Sequence, residues 1–321
     1  KEIAKILNLN EKHVENAVKL LDEGNTIPFI ARYRKELTGE MTDIKLRELD
    51  EKLTYLRNLE KRKEDVIRLI EEQGKLTDDL RSEIERAESI QRVEDLYRPF
   101  KPKRRTKATI AREKGLSELA ETIKLNNLTD EALLEFAANF INLEYDINSV
   151  EDAFDGAKDI IAEDISDDAN LRRKIKDALY KYGIIVTKAI DEKLESVYEM
   201  YYDYKEPIKS IANHRILAIN RGENKKALRV SLETVDFDLV KLIKEEMLTG
   251  NNSLSNNLLE QAIEDSFKRL LFPSIERELR SELTQRAEED AIKVFSLNLE
   301  PLLMQPPIKG KNILAIDPGF R

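Results

Sequence analysis

Residues 42–73 hold neither glycine nor proline, and Leu46, Leu49, Leu53 and Leu56 recur at intervals of three and four. That period lays one apolar stripe along an α-helix and does not fit the alternating faces of a strand. Thr42 and Asp43 supply an N-cap and an acid at the positive end of the helix dipole, and Gly74 supplies a stop. One long helix is therefore predicted from Thr42 or Asp43 to about Gln73. Its middle, "EKRKED" at 60–65, is polar nearly all round before Ile67 and Ile70 resume the stripe. An interrupted seam argues for a partner-packed or solvent-bridging helix over a sustained coiled coil.

The same logic covers most of the chain. Only ten of 321 residues are glycine, while Leu, Glu, Lys, Ile and Ala are abundant, so the expected class is mostly α. Residues 1–24 read as two short amphipathic helices, with Ile3, Ile6 and Leu7 on the first and Val14, Ala17, Val18 and Leu21 on the second. Asn10 is the expected N-cap between them and Gly24 the C′ residue. This spacing suits a helix-turn-helix element, read either as plain helical packing or as a DNA reader presenting Lys12, His13, Asn16 and Lys19.

Thr77 and Asp78 open a further helix to about Leu96. Residues 97–115 hold two prolines and read as an extended loop leading into a short helix before Gly115. Thr129, Asp130 and Glu131 start another helical stretch, which is expected to reach about Tyr204 with a weak point at Gly183. Residues 227–233 alternate and are β-branched enough for a short strand. Helices are predicted again over about 239–248 and 254–271. From Ser274 a last long helix places Ile275, Leu279, Leu283, Ala287 and Phe295 near one face. "QPPIKGK" is a linker, and 313–316 read as a strand delivering Asp317 to a Pro318-Gly319 turn.

Charge is unevenly placed along a chain whose net charge is −9. Residues 98–114 carry eight cations and one acid, whereas 144–168 carry ten acids and one cation. Candidate phosphate-binding residues are therefore Lys101, Lys103, Arg104, Arg105, Lys107 and Arg112, with a smaller cluster at Arg32, Arg34 and Lys35. Tyr97 and Phe100 beside the first cluster could stack on bases or anchor the loop to the core. The competing reading is that both clusters pair with the acidic 144–168 stretch of the same protein.

Chemistry is sparsely marked. There is no cysteine, which excludes disulfides, thiolate metal sites and a Cys nucleophile and suits a reducing cytoplasm. No apolar run is long enough for a membrane span. Gly-rich phosphate loops, HExxH, GxSxG and calcium-loop patterns are absent. The two histidines, His13 and His214, lie about 200 residues apart, and His214 reads as a hydrogen-bonded, half-buried side chain at a bend. No cofactor is implied. Asp317 is the one candidate carboxylate: it is either a turn cap or one member of the set that holds two magnesium ions in a metal-dependent nuclease, whose partners would come from later strands. The chain starts without Met and stops directly after this segment, so it is expected to be a fragment and not itself an enzyme.

Several stretches carry a resemblance: "LLDEGNTIPFIARYRKELTG" (20–39), "VEDLYRPFKPKRRTKATIAREKGL" (93–116), "HRILAINRGE" (214–223), "KRLLFPSIERELRSELTQRAEEDAIKVF" (268–295) and "ILAIDPGFR" (313–321). Together they resemble bacterial Tex proteins, a family of transcription accessory factors. The resemblance implies a helix-turn-helix-like element at 1–40, a helical scaffold with the basic loop at 41–206 and a second helical segment with a short strand at 207–300. Over 301–321 it implies a linker and the first strand of a truncated RNase H-like domain of the YqgF type. It places Asp317 at that domain's first-strand carboxylate. In the intact protein it further implies a helix-hairpin-helix region and an OB-type RNA-binding domain. The expected partners are RNA or DNA, bound with little sequence preference, and RNA polymerase or other parts of the transcription machinery. Ala212 and Asn213 depart from the family's usual Pro-Ser before the His-Arg pair.

Overall fold

Side-chain caps mark where several of the helices begin. The computed structural model describes residues 1–101, 105–191, 193, 195–248, 253–306, 309–312 and 314–316. The chain divides into two units, Lys1–Arg104 with Asp167–Ala169, and Arg105–Ser166 with Asn170–Arg321.

The first unit contains α1 (Glu2–Leu7), α2 (Glu11–Asp22), α3 (Ile27–Tyr33), α4 (Lys35–Thr38), α5 (Asp43–Glu71), α6 (Asp78–Glu85) and α7 (Ile90–Tyr97). Asn10 Oδ1 accepts from the Lys12 and His13 amides, as its place before α2 predicts. Thr42, Thr77 and Ser89 do the same for α5, α6 and α7. The expected single helix from Thr77 to Leu96 is thus two, because Ser89 turns to extended backbone and caps a new start.

Helix α5 serves two cores in turn. Leu46, Leu49 and Leu53 pack with Ile3, Val14, Ala17, Leu20 and Ile30. Leu59, Val66 and Ile70 pack with Ile84, Val93, Leu96 and Tyr97. The polar 60–65 stretch falls in the second core's span, and its Lys63 is nevertheless buried. That side chain is satisfied, since Nζ donates to the Glu60 carboxylate at 2.8 Å and to the Glu85 carbonyl at 2.9 Å.

The second unit holds α8 (Lys107–Glu113), α9 (Ser117–Leu125), α10 (Asp130–Ala138), most of α11 (Val150–Asp167) and α12 (Ala169–Tyr182), then β1 (Gly183–Ala189) and β2 (Asp203–Pro207). It continues with α13 (Asn213–Asn224), β3 (Leu228–Thr234), α14 (Leu239–Met247), α15 (Ser253–Asp265), a π turn at Ser266–Leu271 and α16 (Phe272–Leu303). The three strands form an antiparallel sheet in the order β2-β1-β3, with Ile185 opposite Glu206 on one side and Leu232 on the other. Leu119, Ile123, Ile161, Ile175, Leu179, Ile185, Leu259, Ile263 and Ile275 belong to one continuous core.

The strand expected at 227–233 is present, but β1 and β2 replace helix that the pattern extended to about Tyr204. Ile184 to Thr187 are four β-branched residues in succession, and pairing on both sides favours the pleated form over a helix. Gly183 makes the handover possible: a Cβ there would lie 2.2 Å from the Leu179 carbonyl oxygen. His214 is exposed on α13 instead of half-buried at a bend.

The strand expected at 313–316 is not formed among the described residues, where 311–312 and 314–316 are irregular. A strand needs a neighbour for its backbone groups, and none lies beside these residues in the described sheet. Ile313 and Asp317 to Arg321 lie outside the described residues. Among the described residues no helix is long and apolar enough to cross a membrane.

Candidate nucleic-acid interface

Among the described residues the cations of 98–112 are largely engaged with acids. Helix α8 is capped by Thr106 and buries Ala108 and Ala111, which aims Arg112 at α11. Arg112 Nη1 donates to Glu163 and Nη2 to Asp164, each at 2.6 Å. Lys124 joins the same group by donating to Asp164 at 2.9 Å. Lys107 on the first turn of α8 is exposed and acts electrostatically on Asp159. Burial pushes the Asp159 carboxyl above the ordinary range, and Lys107 and Arg269 partly offset that rise. Arg105 donates to Glu113 at 3.0 Å, an exposed pair that contributes little.

Within the first unit, Arg98 lies 3.4 Å from Asp167. Lys101 pairs with Glu94, to which Arg62 Nε also donates at 2.5 Å, and its Nζ sits 5.6 Å from the Tyr97 ring centroid. Tyr97 is buried in the second core of this unit, so it is an anchor and offers no face to a base. Lys103 and Arg104 lie outside the described residues. Self-pairing with the 144–168 acids thus accounts for Arg98 and Arg112, and in part for Lys107.

The smaller cluster is different. Ile30 is fully buried in the first core and fixes α3, which turns Phe29, Arg32 and Tyr33 to the opposite side at i, i+3 and i+4 spacing. Arg32, Tyr33, Arg34 and Lys35 are all exposed. Phe29 and Tyr33 meet with ring centroids 5.2 Å apart, and the Arg34 guanidinium stands 5.2 Å from the Phe29 centroid. Arg34 Nη1 donates to the Tyr33 carbonyl at 3.1 Å, which holds the side chain there. Among the described residues, none of Arg32, Arg34 and Lys35 pairs with a carboxylate. The sequence marks these cations but not their aromatic neighbours; the i, i+4 pair Phe29 and Tyr33 beside them is the signal that could have found them.

The residues expected on a DNA-reading second helix do not share one free face. Lys12 and Lys19 are exposed, but Asn16 Nδ2 donates to the Leu37 carbonyl at 2.8 Å and the half-buried His13 ring lies against Gly39.

In the second unit α13, α16 and β3 line a cleft of about 640 Å³. Many of its polar groups are turned on one another: Arg280 pairs with Glu223, Asn220 donates to Thr284 at 2.8 Å, and Glu276 accepts from the Leu232 amide at 2.7 Å. Among the described residues no group of three or more His, Asp or Glu is placed to hold a metal ion.

The family model described as Tex central region-like matches residues 130–295, and that described as Tex-like protein N-terminal domain matches residues 1–71. The chain is 48% identical over 324 residues to the uncharacterized protein YdcI of Bacillus subtilis, covering 100% of this chain and 45% of that protein. It is 38% identical to the transcriptional accessory protein Tex of Neisseria gonorrhoeae, over 98% of this chain and 42% of that protein. It is 29% identical to the S1 RNA-binding domain-containing protein 1 of Homo sapiens, over 95% of this chain and 32% of that protein. The chain thus spans less than half the length of these relatives. With two family matches, one of them covering just over half of its residues, the chain belongs to the Tex family.

Proposed function

We propose that this chain is the N-terminal helical scaffold of a Tex-type transcription accessory protein, and that it contacts nucleic acid with little sequence preference through Arg32, Arg34 and Lys35. The observation that carries this reading is the contrast in pairing: these three cations are exposed and unmatched by carboxylates among the described residues, whereas Arg112 is held between two acids. Cations without carboxylate partners can neutralise phosphates without first giving up an ion pair. Contacts to phosphate carry no base information, which accounts for the lack of sequence preference. Lys101, Arg105 and Lys107 are auxiliary contacts at most, and Arg112 is structural. The names of the relatives, a transcriptional accessory protein and an S1 RNA-binding domain-containing protein, support a nucleic-acid role. An OB-type domain in the intact protein carries the larger share of the binding, and the protein works in the cytoplasm. No catalytic step is part of this role.

Fluorescence anisotropy with labelled mixed-sequence oligonucleotides over a salt series tests it. Reversing Arg32, Arg34 and Lys35 to Glu is expected to weaken binding and to flatten the slope of log affinity against log salt by about 2 on single strands. An unchanged slope would rule the cluster out.

A second reading, docking on the transcription machinery, is favoured by the far part of α16, where Ile292, Phe295, Leu302 and Leu303 are all at least 60% exposed. Capture of RNA polymerase by the chain, surviving nuclease treatment and lost on Phe295→Glu, would support it. Loss of capture on nuclease treatment would refute it.

A further inference from the structure

We infer that the α3–α4 surface takes single-stranded nucleic acid, with Tyr33 as the platform on which a base stacks. This rests on the phosphate contacts proposed above for Arg32, Arg34 and Lys35 and names the class of strand they hold.

Three features of the surface point that way. First, Tyr33 is 65% exposed although it is aromatic and follows the fully buried Ile30 by three residues. Its ring meets Phe29 at 5.2 Å between centroids, tilted by 45°, and most of its surface stays in solvent. Second, the support is itself held in place. Phe29 is half-buried, and the Arg34 guanidinium stands 5.2 Å from its centroid while bonded to the Tyr33 carbonyl. A ring held this way loses little side-chain freedom when a base arrives. Third, the cations flank the ring in sequence: Arg32 precedes Tyr33, and Arg34 and Lys35 follow it, against Glu36 alone in that run. A strand whose base lies on Tyr33 brings its own phosphates alongside these cations.

The choice of strand follows from what each nucleic acid exposes. Every base of a single strand can present a π-face, and stacking on an aromatic side chain tolerates any base. Inside a duplex those faces are covered by neighbouring pairs, so a duplex meets only the cations. The patch therefore discriminates by strandedness and not by sequence. RNA and DNA single strands share the chemistry, and the two are separate arms of the test.

The experiment is anisotropy of the whole chain with single-stranded RNA, single-stranded DNA and duplex DNA of one length. Tyr33→Ala, Tyr33→Phe and the double variant Arg32→Glu/Lys35→Glu are compared with the unaltered chain. Tyr33 is exposed, so circular dichroism should show each variant folded. The expected result is that Tyr33→Ala weakens binding of single strands by roughly fivefold or more, leaves duplex affinity unchanged and is rescued by Tyr33→Phe. If Tyr33→Ala binds single strands like the unaltered chain while the double charge reversal weakens all ligands, the stacking assignment falls and the phosphate contacts stand. If the charge reversal changes nothing, or the unaltered chain retains no oligonucleotide, both fall.

Discussion

Arg112 Nη1 and the Glu163 carboxylate meet at 2.6 Å, joining α8 to α11 across 51 positions of sequence. Glu163 keeps only 10% of its side-chain surface in water, and that guanidinium is a close counter-charge for it. Arg112 itself is partly solvated, which limits the worth of the pair. Arg112→Ala is expected to lower stability by about 1–2 kcal/mol in urea unfolding. Oligonucleotide affinity should move by less than about twofold, since the guanidinium is already committed to carboxylates. Arg112→Lys should recover only part of the loss, because one ammonium cannot reproduce the two directed contacts to Glu163 and Asp164.

Gly39 ends α4 at φ +63°, and the His13 ring sits so close that an added Cβ would come within 2.1 Å of Nδ1. Gly39→Ala therefore meets both a left-handed backbone penalty and a clash, together on the order of 2–3 kcal/mol. Adding His13→Ala should remove the clash and leave the backbone term of about 1 kcal/mol. Hydrogen exchange in α2 and α4, which share this contact, should quicken strongly in the single variant and less in the double one.

Much of the helical frame was legible because its signals are local. Thr42, Thr77 and Thr129 cap the helices their positions announce, and α5 ends within two residues of the expected point. The strands β1 and β2 were not, since β2 is the polar run "DYKEP" and becomes a strand only through its register with β1. The site was legible as charge but not as pairing. Whether Arg112 faces phosphate or Glu163 is decided by how α8 packs on α11, which no spacing within 98–114 records. The Arg32 to Lys35 cluster was easier to read, because α3 exposes it through a local period set by the buried Ile30.

Glu94 accepts from Arg62 and Lys101, and the balance sets its response to acid. Burial pushes the carboxyl up, but the two cationic hydrogen bonds outweigh it and hold it below the ordinary range. A carboxylate depressed in the folded state stabilises fully above its unfolded pKa of about 4.3 and loses that contribution as pH falls through the lower folded value. Urea midpoints measured downward from pH 7 should thus show a loss below about pH 4.5 that Glu94→Gln lacks, the variant starting lower at pH 7 and converging with the unaltered chain in acid.

Arg172 is almost wholly buried, and its Nη2 donates to Glu278 at 3.1 Å and to Ser274 Oγ at 3.3 Å. Lys176 approaches the other Glu278 oxygen at 2.5 Å and Glu282 at 2.6 Å, so Glu278 is shared by two cations, of which Lys176 has a second carboxylate. Removing the Glu278 carboxylate takes an ion-pair partner from a nearly buried guanidinium. Glu278→Leu is expected to cost about 2–3 kcal/mol. The cost should fall by about 1 kcal/mol or more when Arg172→Met is added, because the guanidinium that lost a carboxylate partner is then gone as well. Chemical denaturation of the two single variants and the double variant gives the coupling energy directly. If the changes simply added, the burial of Arg172 between α12 and α16 would not depend on Glu278.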